Sequence, residues 1–268
     1  MKKEYHSSTI QRALDVLNLF KEHQKLSFTD MQQLLGFNKS TLFRVLSTLS
    51  SNKYLSKDEI GRYELGVNMF ILGIRISREY QLKNVATSLM KELSEQLDLT
   101  AHLGILDGTR VVIIEKTDPH RNIRMVSRIG STVPVHCTGQ GKTLLAFSSR
   151  ETIEKIINAQ GLNRYTPNTV TTADGLFEEL ETIRKRGYAI DNSEHEKNIR
   201  CVAVPVLNEA EQIEAALSIT GTIIDFPDEE TMHSTAERLK EIRDKIRGKM
   251  GYLGDWSLRQ PKLNHFLD

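Results

Sequence analysis

Residues 27–55 constrain the fold of this chain most strongly, because they read as two amphipathic helices joined by a short turn. A Gly-Phe break at residues 36–37 separates the two segments. The apolar residues of the second segment recur every three or four positions, at Leu42, Val45, Leu46 and Leu49. Two helices joined by a turn that contains glycine are typical of a helix-turn-helix.

Local signals support both helix starts. Ser27, followed three residues later by Asp30, predicts a capped first helix, and Asn38 predicts the N-cap of the second. The polar face of the second helix carries Ser, Thr and Arg, and no acidic residue occurs from residue 39 to residue 57. Such a face suits a polyanion. On spacing alone, an ordinary helical hairpin with a solvated polar face is the alternative.

The stretch that follows predicts a wing of two short strands around a turn at residues 58–61. Strand alternation places Leu55, Tyr63 and Leu65 inside, with Arg62 outside. A winged helix-turn-helix is therefore favoured over a plain hairpin, with its second helix meeting base edges and phosphates. The residues expected to contact DNA are Lys39, Ser40, Thr41, Arg44, Thr48, Arg62 and Arg12, although a solvated role for Arg12 is the simpler alternative.

Charge is unevenly spread along the 268 residues. Residues 1–83 hold 13 Lys and Arg against 8 Asp and Glu, a net charge of +5, whereas residues 84–268 hold 23 against 27, a net charge of −4. A basic head on an acidic body is typical of nucleic-acid binding at one end. The chain lacks a signal-peptide core and any apolar run near the ~20 residues of a membrane helix, so we expect a cytoplasmic protein without a membrane partner.

The remaining pattern predicts an α+β protein. The first helix has an expected buried stripe at Ile10, Ala13, Leu14, Leu17 and Phe20. The segment 67–79 is apolar nearly all round and is expected to be covered by another part of the chain or by a second subunit. Beyond it, strands that include residues 123–128 predict an antiparallel sheet of about five or six strands with helices on one face. The predicted domains are 1–66 (DNA-binding), 67–83 (linker helix), 84–252 (effector-binding) and 253–268 (tail).

Several motifs invite an enzymatic interpretation, and each is incomplete. The run GQGKT at 139–143 lacks the P-loop glycine, since that position is His136. Cys137 and His136 are adjacent on a strand and point to opposite faces, so they form no dyad. A zinc site from these two with His102 and Cys201 has no close ligand spacing. We predict no catalytic residue, metal site or cofactor; an enzyme or a metal or redox sensor using the C-terminal cleft is the alternative.

At the level of motifs, the chain resembles the IclR-type bacterial transcriptional regulators from about residue 8 to residue 252. The resemblance is carried by ordered segments, not by one short motif. These are IQRAL at 10–14, NKST at 38–41, YELG at 63–66, HLG at 102–104, GSTVPVHCT at 130–138, GK at 141–142 with LLA at 144–146, GYAID at 187–191, CVAVPV at 201–206 and AALSI at 215–219.

The resemblance implies an N-terminal winged helix-turn-helix domain, a linker helix and a C-terminal GAF-like antiparallel-sheet effector-binding domain, assembled as dimers or tetramers on operator DNA. Carried over by position, the family's small-molecule pocket comprises Met125, Val133, Gly139, Gln140, Asp191, Ile199, Cys201, Ser218 and Thr220. This chain departs from many relatives at Gln140, where they have a small residue, and at Asn198, where they have glycine. A longer polar side chain at Gln140 is expected to narrow the pocket or to add a hydrogen bond.

These observations predict a ligand-responsive DNA-binding transcriptional regulator, with repression as the expected sign. The expected effector is a small organic acid. Its carboxylate would lie on the amides of the turn at 139–141 and a hydroxyl or hydrated keto group on Asp191. Because no Arg or Lys occurs among the carried-over pocket positions, a multiply phosphorylated ligand is not expected.

Overall fold

The computed structural model describes residues 7–79, 81–120 and 126–251, and the chain divides into two compact units, Met1–Tyr80 and Gln81–Asp268. The elements of the first unit are α1 (Ser8–Leu19), α2 (Phe28–Leu35), α3 (Lys39–Ser51), β1 (Leu55–Lys57), β2 (Tyr63–Leu65) and α4 (Val67–Glu79). Those of the second are α5 (Gln81–Leu97), β3 (Thr100–Asp107), β4 (Arg110–Thr117), β5 (Thr132–Pro134), α6 (Gly139–Ala146), α7 (Arg150–Gln160), α8 (Ala173–Arg186), β6 (Ala189–Asn192), β7 (Ile199–Leu207), β8 (Ile213–Thr222) and α9 (Glu229–Lys249). None of the helices described is long and apolar enough to cross a membrane.

The predicted helix-turn-helix is confirmed, and its capping residues form the expected hydrogen bonds. The Ser27 hydroxyl accepts from the Asp30 amide at 3.2 Å, and the Asp30 carboxylate accepts from the Ser27 amide at 2.9 Å. Gly36 ends α2 in the left-handed region with φ 66°. Asn38 then starts α3, because its Oδ1 accepts from the Thr41 amide at 2.8 Å.

The core of the first unit contains the predicted stripe of α3 and part of the predicted stripe of α1, since Phe20 is buried and Ala13 and Leu17 pack against the core. Val16 is fully buried on α1, but Ile10 and Leu14 are 62% and 48% exposed, so their predicted burial is wrong. Both faces of α1 carry apolar residues, and periodicity alone could not decide between them. The buried core comprises Val16, Phe20, Leu26, Met31, Leu42, Val45, Leu46, Leu49, Leu55 and Tyr63.

The predicted wing is present as the antiparallel pair β1 and β2, with Leu55 opposite Leu65 in register. Leu55 and Tyr63 are buried as expected, and Tyr63 also pairs with Leu26 through two backbone hydrogen bonds. Leu65 is 44% exposed, which corrects the prediction that it points into the core. The strand ends there and Gly66 begins the turn into α4, so Leu65 lies outside the buried cluster.

The start of α4 is fixed against the end of α3. A Cβ at Gly66 would lie 2.3 Å from the Lys53 carbonyl oxygen, so only glycine fits. Asn68 adds two hydrogen bonds: its amide nitrogen Nδ2 donates to Asn52 O at 2.7 Å, and its backbone N–H donates to Lys53 O at 3.0 Å. Farther along, α4 exposes Val67, Phe70, Ile71 and Leu72 in the single chain.

The second unit is built on a six-stranded antiparallel sheet in the order β5-β4-β3-β8-β7-β6. Residues 126–128 form no strand, so the predicted strand at 123–128 is wrong where it is described; residues 123–125 lie outside the described residues. The edge of the sheet is instead formed by β5, in which Val133 pairs with Val111.

Helices cover both faces of this sheet, not one face as predicted. One core joins α5 and α9 to Leu103, Val204 and Leu217, and a second core joins α6, α7 and α8 to Val111 and Ala216. The strands β3, β7 and β8 therefore carry apolar side chains on both faces of the sheet. The sequence CVAVPV of β7 has this character, because a strand buried on both faces shows little polar alternation.

Glycines in two helices of the second unit allow a matched test of these contacts. A Cβ at Gly141 in α6 would lie 2.3 Å from Val135 O and 2.4 Å from Val135 Cα, whereas one at Gly248 in α9 would meet nothing within 4 Å. We expect Gly141→Ala to lower the free energy of unfolding by about 1–3 kcal/mol or more, because backbone must move. We expect Gly248→Ala to raise it by about 0.5–1 kcal/mol through helix propensity.

Urea unfolding followed by circular dichroism measures both changes. Equal stability of the two variants would show that α6 is not held at the distance observed.

Candidate functional site

The exposed face of α3 carries four of the residues predicted to contact DNA, namely Lys39, Ser40, Arg44 and Thr48. The buried stripe on the opposite side keeps this face outward. The Thr48 hydroxyl donates to Arg44 O at 2.9 Å, so it is held close to the helix backbone. Because α3 contains no acidic residue, the face presents only cationic and neutral groups.

Thr41 does not share this face. Its side chain is only 9% exposed, and it lies one turn before Val45 on the buried side of α3. Its amide donates to Asn38 Oδ1, which helps to start the helix. The Thr41 side chain is therefore poorly placed for the DNA contact that the sequence predicted.

An aromatic side chain that sequence reasoning missed lies among the exposed residues of α3. Phe43 is 63% exposed and directly precedes Arg44. Lys39 and Ser47, four residues to either side of it, are also exposed. The sequence contained a signal for this exposure, because Phe43 lies off the apolar stripe of α3.

Arg62 on the wing is held by an ion pair. Its Nη2 and the Lys25 ammonium lie 2.9 Å and 3.3 Å from Asp58 Oδ2. Partial burial raises the pKa of Asp58, but hydrogen bonds from Arg62 and Lys25 outweigh it and hold that pKa at about 2. Arg62 is exposed, yet part of its charge is offset by Asp58. Arg12 is half-buried on α1 in the same unit.

Eight of the nine predicted effector-binding residues line one cavity of about 110 Å³ in the second unit. They are Val133, Gly139, Gln140, Asp191, Ile199, Cys201, Ser218 and Thr220. The ninth, Met125, lies outside the described residues. In another protein an enclosed cavity of about 150 Å³ holds benzene, so the present volume, which is partly open to solvent, is of the order that one ring occupies.

The N-terminus of α6 forms part of the cavity wall. The Thr138 hydroxyl accepts from the Gly141 amide at 3.1 Å and donates to Pro134 O at 2.6 Å. The Gly141 amide is thus used within the protein, which corrects the expectation that all three amides of the turn face a ligand. The Gly139 and Gln140 amides have no acceptor among the described residues, and they lie at the positive end of the helix dipole.

Gln140 extends from α6 across the sheet. Its Nε2 donates to Ala216 O on β8 at 3.1 Å. Its Oε1 lies against β3, where a Cβ at Gly104 would be only 2.9 Å away. Glycine at position 104 therefore leaves the room that the Gln140 side chain occupies. A small residue at position 140 would leave this space open, so Gln140 narrows the cavity.

Asp191, on β6, is 5% exposed, and its Oδ1 accepts from the Glu194 amide at 2.7 Å. Burial raises the pKa of Asp191 to about 7, although the hydrogen bond from the Glu194 amide and the nearby Lys142 favour the charged form. The carboxyl group therefore populates both protonation states near neutral pH.

Seven further residues line the cavity that sequence reasoning did not assign to it: His102, Ile113, Val126, Ser127, Thr138, His195 and Glu196. His102 Nε2 lies 2.8 Å from Ser127 Oγ, and burial lowers the pKa of His102 to about 4, so the ring is neutral at pH 7. The period of β3 places His102 on the same face as Gly104, and this signal could have identified it. His195 and Glu196 lie in a loop, where no periodicity indicates direction.

The geometry gives little support to a P-loop, a cysteine nucleophile or a metal site. Lys142 is 1% exposed and contacts Glu194 Oε1 at 2.5 Å and Glu179 Oε1 at 3.3 Å, so it is not available to bind phosphate as a P-loop lysine does. Cys137 and Cys201 are free and buried, and burial raises the pKa of each thiol to about 12, which disfavours the nucleophilic thiolate. Within the described ranges, no three His, Cys, Asp or Glu side chains could hold a metal ion together.

Comparison with known proteins identifies similarity over both units. The model of the IclR helix-turn-helix domain matches residues 9–59. The model of the bacterial transcriptional regulator IclR C-terminal region matches residues 75–247, which is more than half of the chain.

Individual proteins are similar over almost the whole length. The HTH-type transcriptional regulator XynR of Escherichia coli (strain K12) is 34% identical over 246 residues, covering 91% of this chain and 97% of that protein. KdgR of the same organism is also 34% identical over 246 residues, covering 91% and 93%. The crystal structure of an IclR homolog complexed with 4-hydroxybenzoate, from Microbacterium hydrocarbonoxydans, has a TM-score of 0.82 at 25% identity, covering 92% of this chain and all of that chain.

Proposed function

The chain belongs to the IclR family of bacterial transcriptional regulators, and from that premise we propose that it represses transcription from operator DNA and senses a small organic acid. Its relatives are DNA-binding regulators and not enzymes. The observation that carries the proposal is an exposed face without acidic residues on α3 in one unit, combined with a small, mainly apolar cavity in the other that contains a few hydrogen-bonding groups.

We assign a role to each part of the chain. Residues 1–66 would bind DNA, residues 67–83 would be the linker, which the structure divides between α4 and the start of α5, and residues 84–252 would bind the effector. The proposed tail, residues 253–268, lies outside the described residues. A regulator of this kind acts in the bacterial cytoplasm, where its operator is. Lys39, Ser40 and Arg44 enter the major groove from the first turns of α3, while Thr48, Arg62 and Arg12 contact phosphate.

The effector proposal follows from the donors and acceptors of the cavity. The Gly139 and Gln140 amides would bind a carboxylate, and Asp191 would accept from a hydroxyl or hydrated keto group. Ser218 is 1% exposed, and the Cys201 thiol is a hydrogen-bond partner of its hydroxyl. Because a thiol is a weak hydrogen-bonding group, the Ser218 hydroxyl can form a stronger hydrogen bond with a polar ligand at this position. Thr220 adds a second hydroxyl, and Met125, Val133, Ile199 and Cys201 complete the set that we propose for the site.

Two observations limit the size and charge of this effector. The cavity of about 110 Å³ admits a single ring or a short chain. No Lys or Arg is among its described lining residues, so a multiply phosphorylated ligand lacks a counter-charge. The Microbacterium homolog was crystallised with 4-hydroxybenzoate, which combines one carboxylate with one hydroxyl and supports the same class for this chain.

A homo-dimer or tetramer is proposed from the exposed apolar side chains of the first unit. Phe70 is 67% exposed on α4, and Ile10 is 62% exposed on α1. Large exposed apolar side chains are typical of protein interfaces, and paired half-sites in DNA require paired DNA-binding domains. Sedimentation equilibrium at micromolar concentration tests this assembly; a monomer that still binds its operator tightly would contradict it.

Arg44 and Arg62 should differ in how their loss affects DNA binding. A base contact depends on sequence, so Arg44→Ala should reduce the favourable free energy of operator binding by about 1–3 kcal/mol and relax the base preference at one operator position. A phosphate contact is independent of sequence, so Arg62→Ala should weaken binding to all DNA sequences similarly. It should also reduce the slope of log affinity against log salt concentration by about 1. The measurement is affinity for selected and scrambled duplexes at several salt concentrations. Unchanged sequence preference in a folded Arg44→Ala protein would mean that α3 does not read the operator.

The pKa of Asp191, raised by burial to about 7, predicts how effector affinity depends on pH. A hydroxyl that donates to Asp191 stabilises its ionised form, so binding should be full above pH 7 and weaken by about tenfold per pH unit below it. Asp191→Asn keeps an acceptor for the Glu194 amide but cannot ionise, and should remove this dependence. Calorimetry with 4-hydroxybenzoate and a short hydroxy acid measures it. Affinity that rises as pH falls would show instead that Asp191 binds the ligand protonated.

A further inference from the structure

Phe43 occupies the exposed face of α3 without a structural reason for its exposure. Its side chain is 63% exposed, while Leu42 and Leu46 on the same helix are fully buried. The residues that flank it on the exposed face, Lys39 and Arg44, are cationic. Single exposed apolar residues are common on protein surfaces and need no explanation by themselves. The position of Phe43 between the two cations is what requires one.

A shallow apolar cleft lies beside this ring. Phe28, at the start of α2, forms one side of the cleft and Phe43 the other, and Lys39, Ser40 and Arg44 complete the lining. An aromatic surface flanked by cations complements a partner that presents negative charge around an apolar group. In the major groove of DNA that combination exists at thymine, the one standard base with a methyl group on its groove edge.

We propose that Phe43 contacts the 5-methyl group of a thymine in each operator half-site and thereby sets base preference at that position. The proposal rests on the DNA-binding role of α3. Adjacent residues of an α-helix project about 100° apart, so Phe43 and Arg44 contact different bases. The thymine therefore lies near, but not at, the position that Arg44 contacts. Arg44 supplies hydrogen bonds, and Phe43 supplies an apolar contact that hydrogen-bond readout cannot give.

Removal of the methyl group alone provides the test. An operator is first selected from random duplexes with the full-length protein, and each thymine is then replaced singly by deoxyuridine. We expect one thymine in each half-site at which this replacement weakens binding by about fourfold, the factor that one buried methyl or methylene group contributes. Binding by Phe43→Ala should be insensitive to the same replacement.

Two controls separate a base contact from a general loss of structure or of apolar surface. Leu34→Ala removes another exposed apolar side chain of the same unit, from α2, and should retain the full deoxyuridine effect. Replacing the identified T·A pair by C·G should weaken binding by the parent protein, and 5-methylcytosine at that position should restore part of it. Neither base change should alter operator binding by the Phe43→Ala variant. Unfolding curves for the variants establish that each is folded.

The possible outcomes are distinct. If no sequence is enriched from the random duplexes, the DNA-binding role of α3 fails and this proposal fails with it. If a sequence is enriched and Arg44→Ala relaxes its preference, but deoxyuridine has no effect at any thymine, then α3 reads the operator and Phe43 does not. A deoxyuridine effect that persists unchanged in Phe43→Ala would assign the methyl contact to another residue.

Discussion

The backbone of α6 lies against Val135 at a distance that only glycine permits, and the cavity of the second unit depends on this contact. Gly141 brings the helix to the strand end, so Gly139 comes close to the Cys201 sulfur, where an added Cβ would lie 2.9 Å away. The first turn of α6 therefore lies in the cavity wall with Gly139 and Gln140, while the Thr138 hydroxyl accepts from the Gly141 amide. Close packing, more than any single polar group, positions these donors.

A buried ion pair then joins the donor end of the cavity to its acceptor end. Lys142 follows the first turn of α6, and its ammonium contacts the Glu194 carboxylate. The Glu194 amide in turn donates to Asp191. Removing one partner of such a buried pair leaves an uncompensated charge, which costs about 3–5 kcal/mol, so the presence of Lys142 on α6 depends on the position of Glu194 in the loop after β6. The two groups proposed to bind opposite ends of an effector are thus positioned by one network.

Sequence patterns predicted the parts of this fold in which local and tertiary signals agree. The α3 stripe, the Ser27 cap and the Asn38 cap required only periodicity and hydrogen-bonding chemistry. Prediction was wrong for part of α1, where Ile10 and Leu14 are exposed because both faces of the helix carry apolar residues, and at 126–128, where strand and loop could not be distinguished. The cavity residues came from resemblance to a family, because they converge from strands, a helix and a loop far apart in sequence. His195 and Glu196 show the limit, since only the folded loop gives them a direction.

The contact between Gly66 and the Lys53 carbonyl has a consequence for the geometry of paired operators. With Asn68 bonded to the same turn, the start of α4 is fixed to the end of α3, so packed contacts and hydrogen bonds join the surface proposed for pairing to the surface proposed for base contacts. In such an assembly the separation of two recognition helices is a fixed length. One base pair inserted between half-sites rotates the second by about one-tenth of a helical turn. Without a hinge between α3 and α4, the paired domains could not match this rotation of the second half-site, and the DNA would have to twist instead.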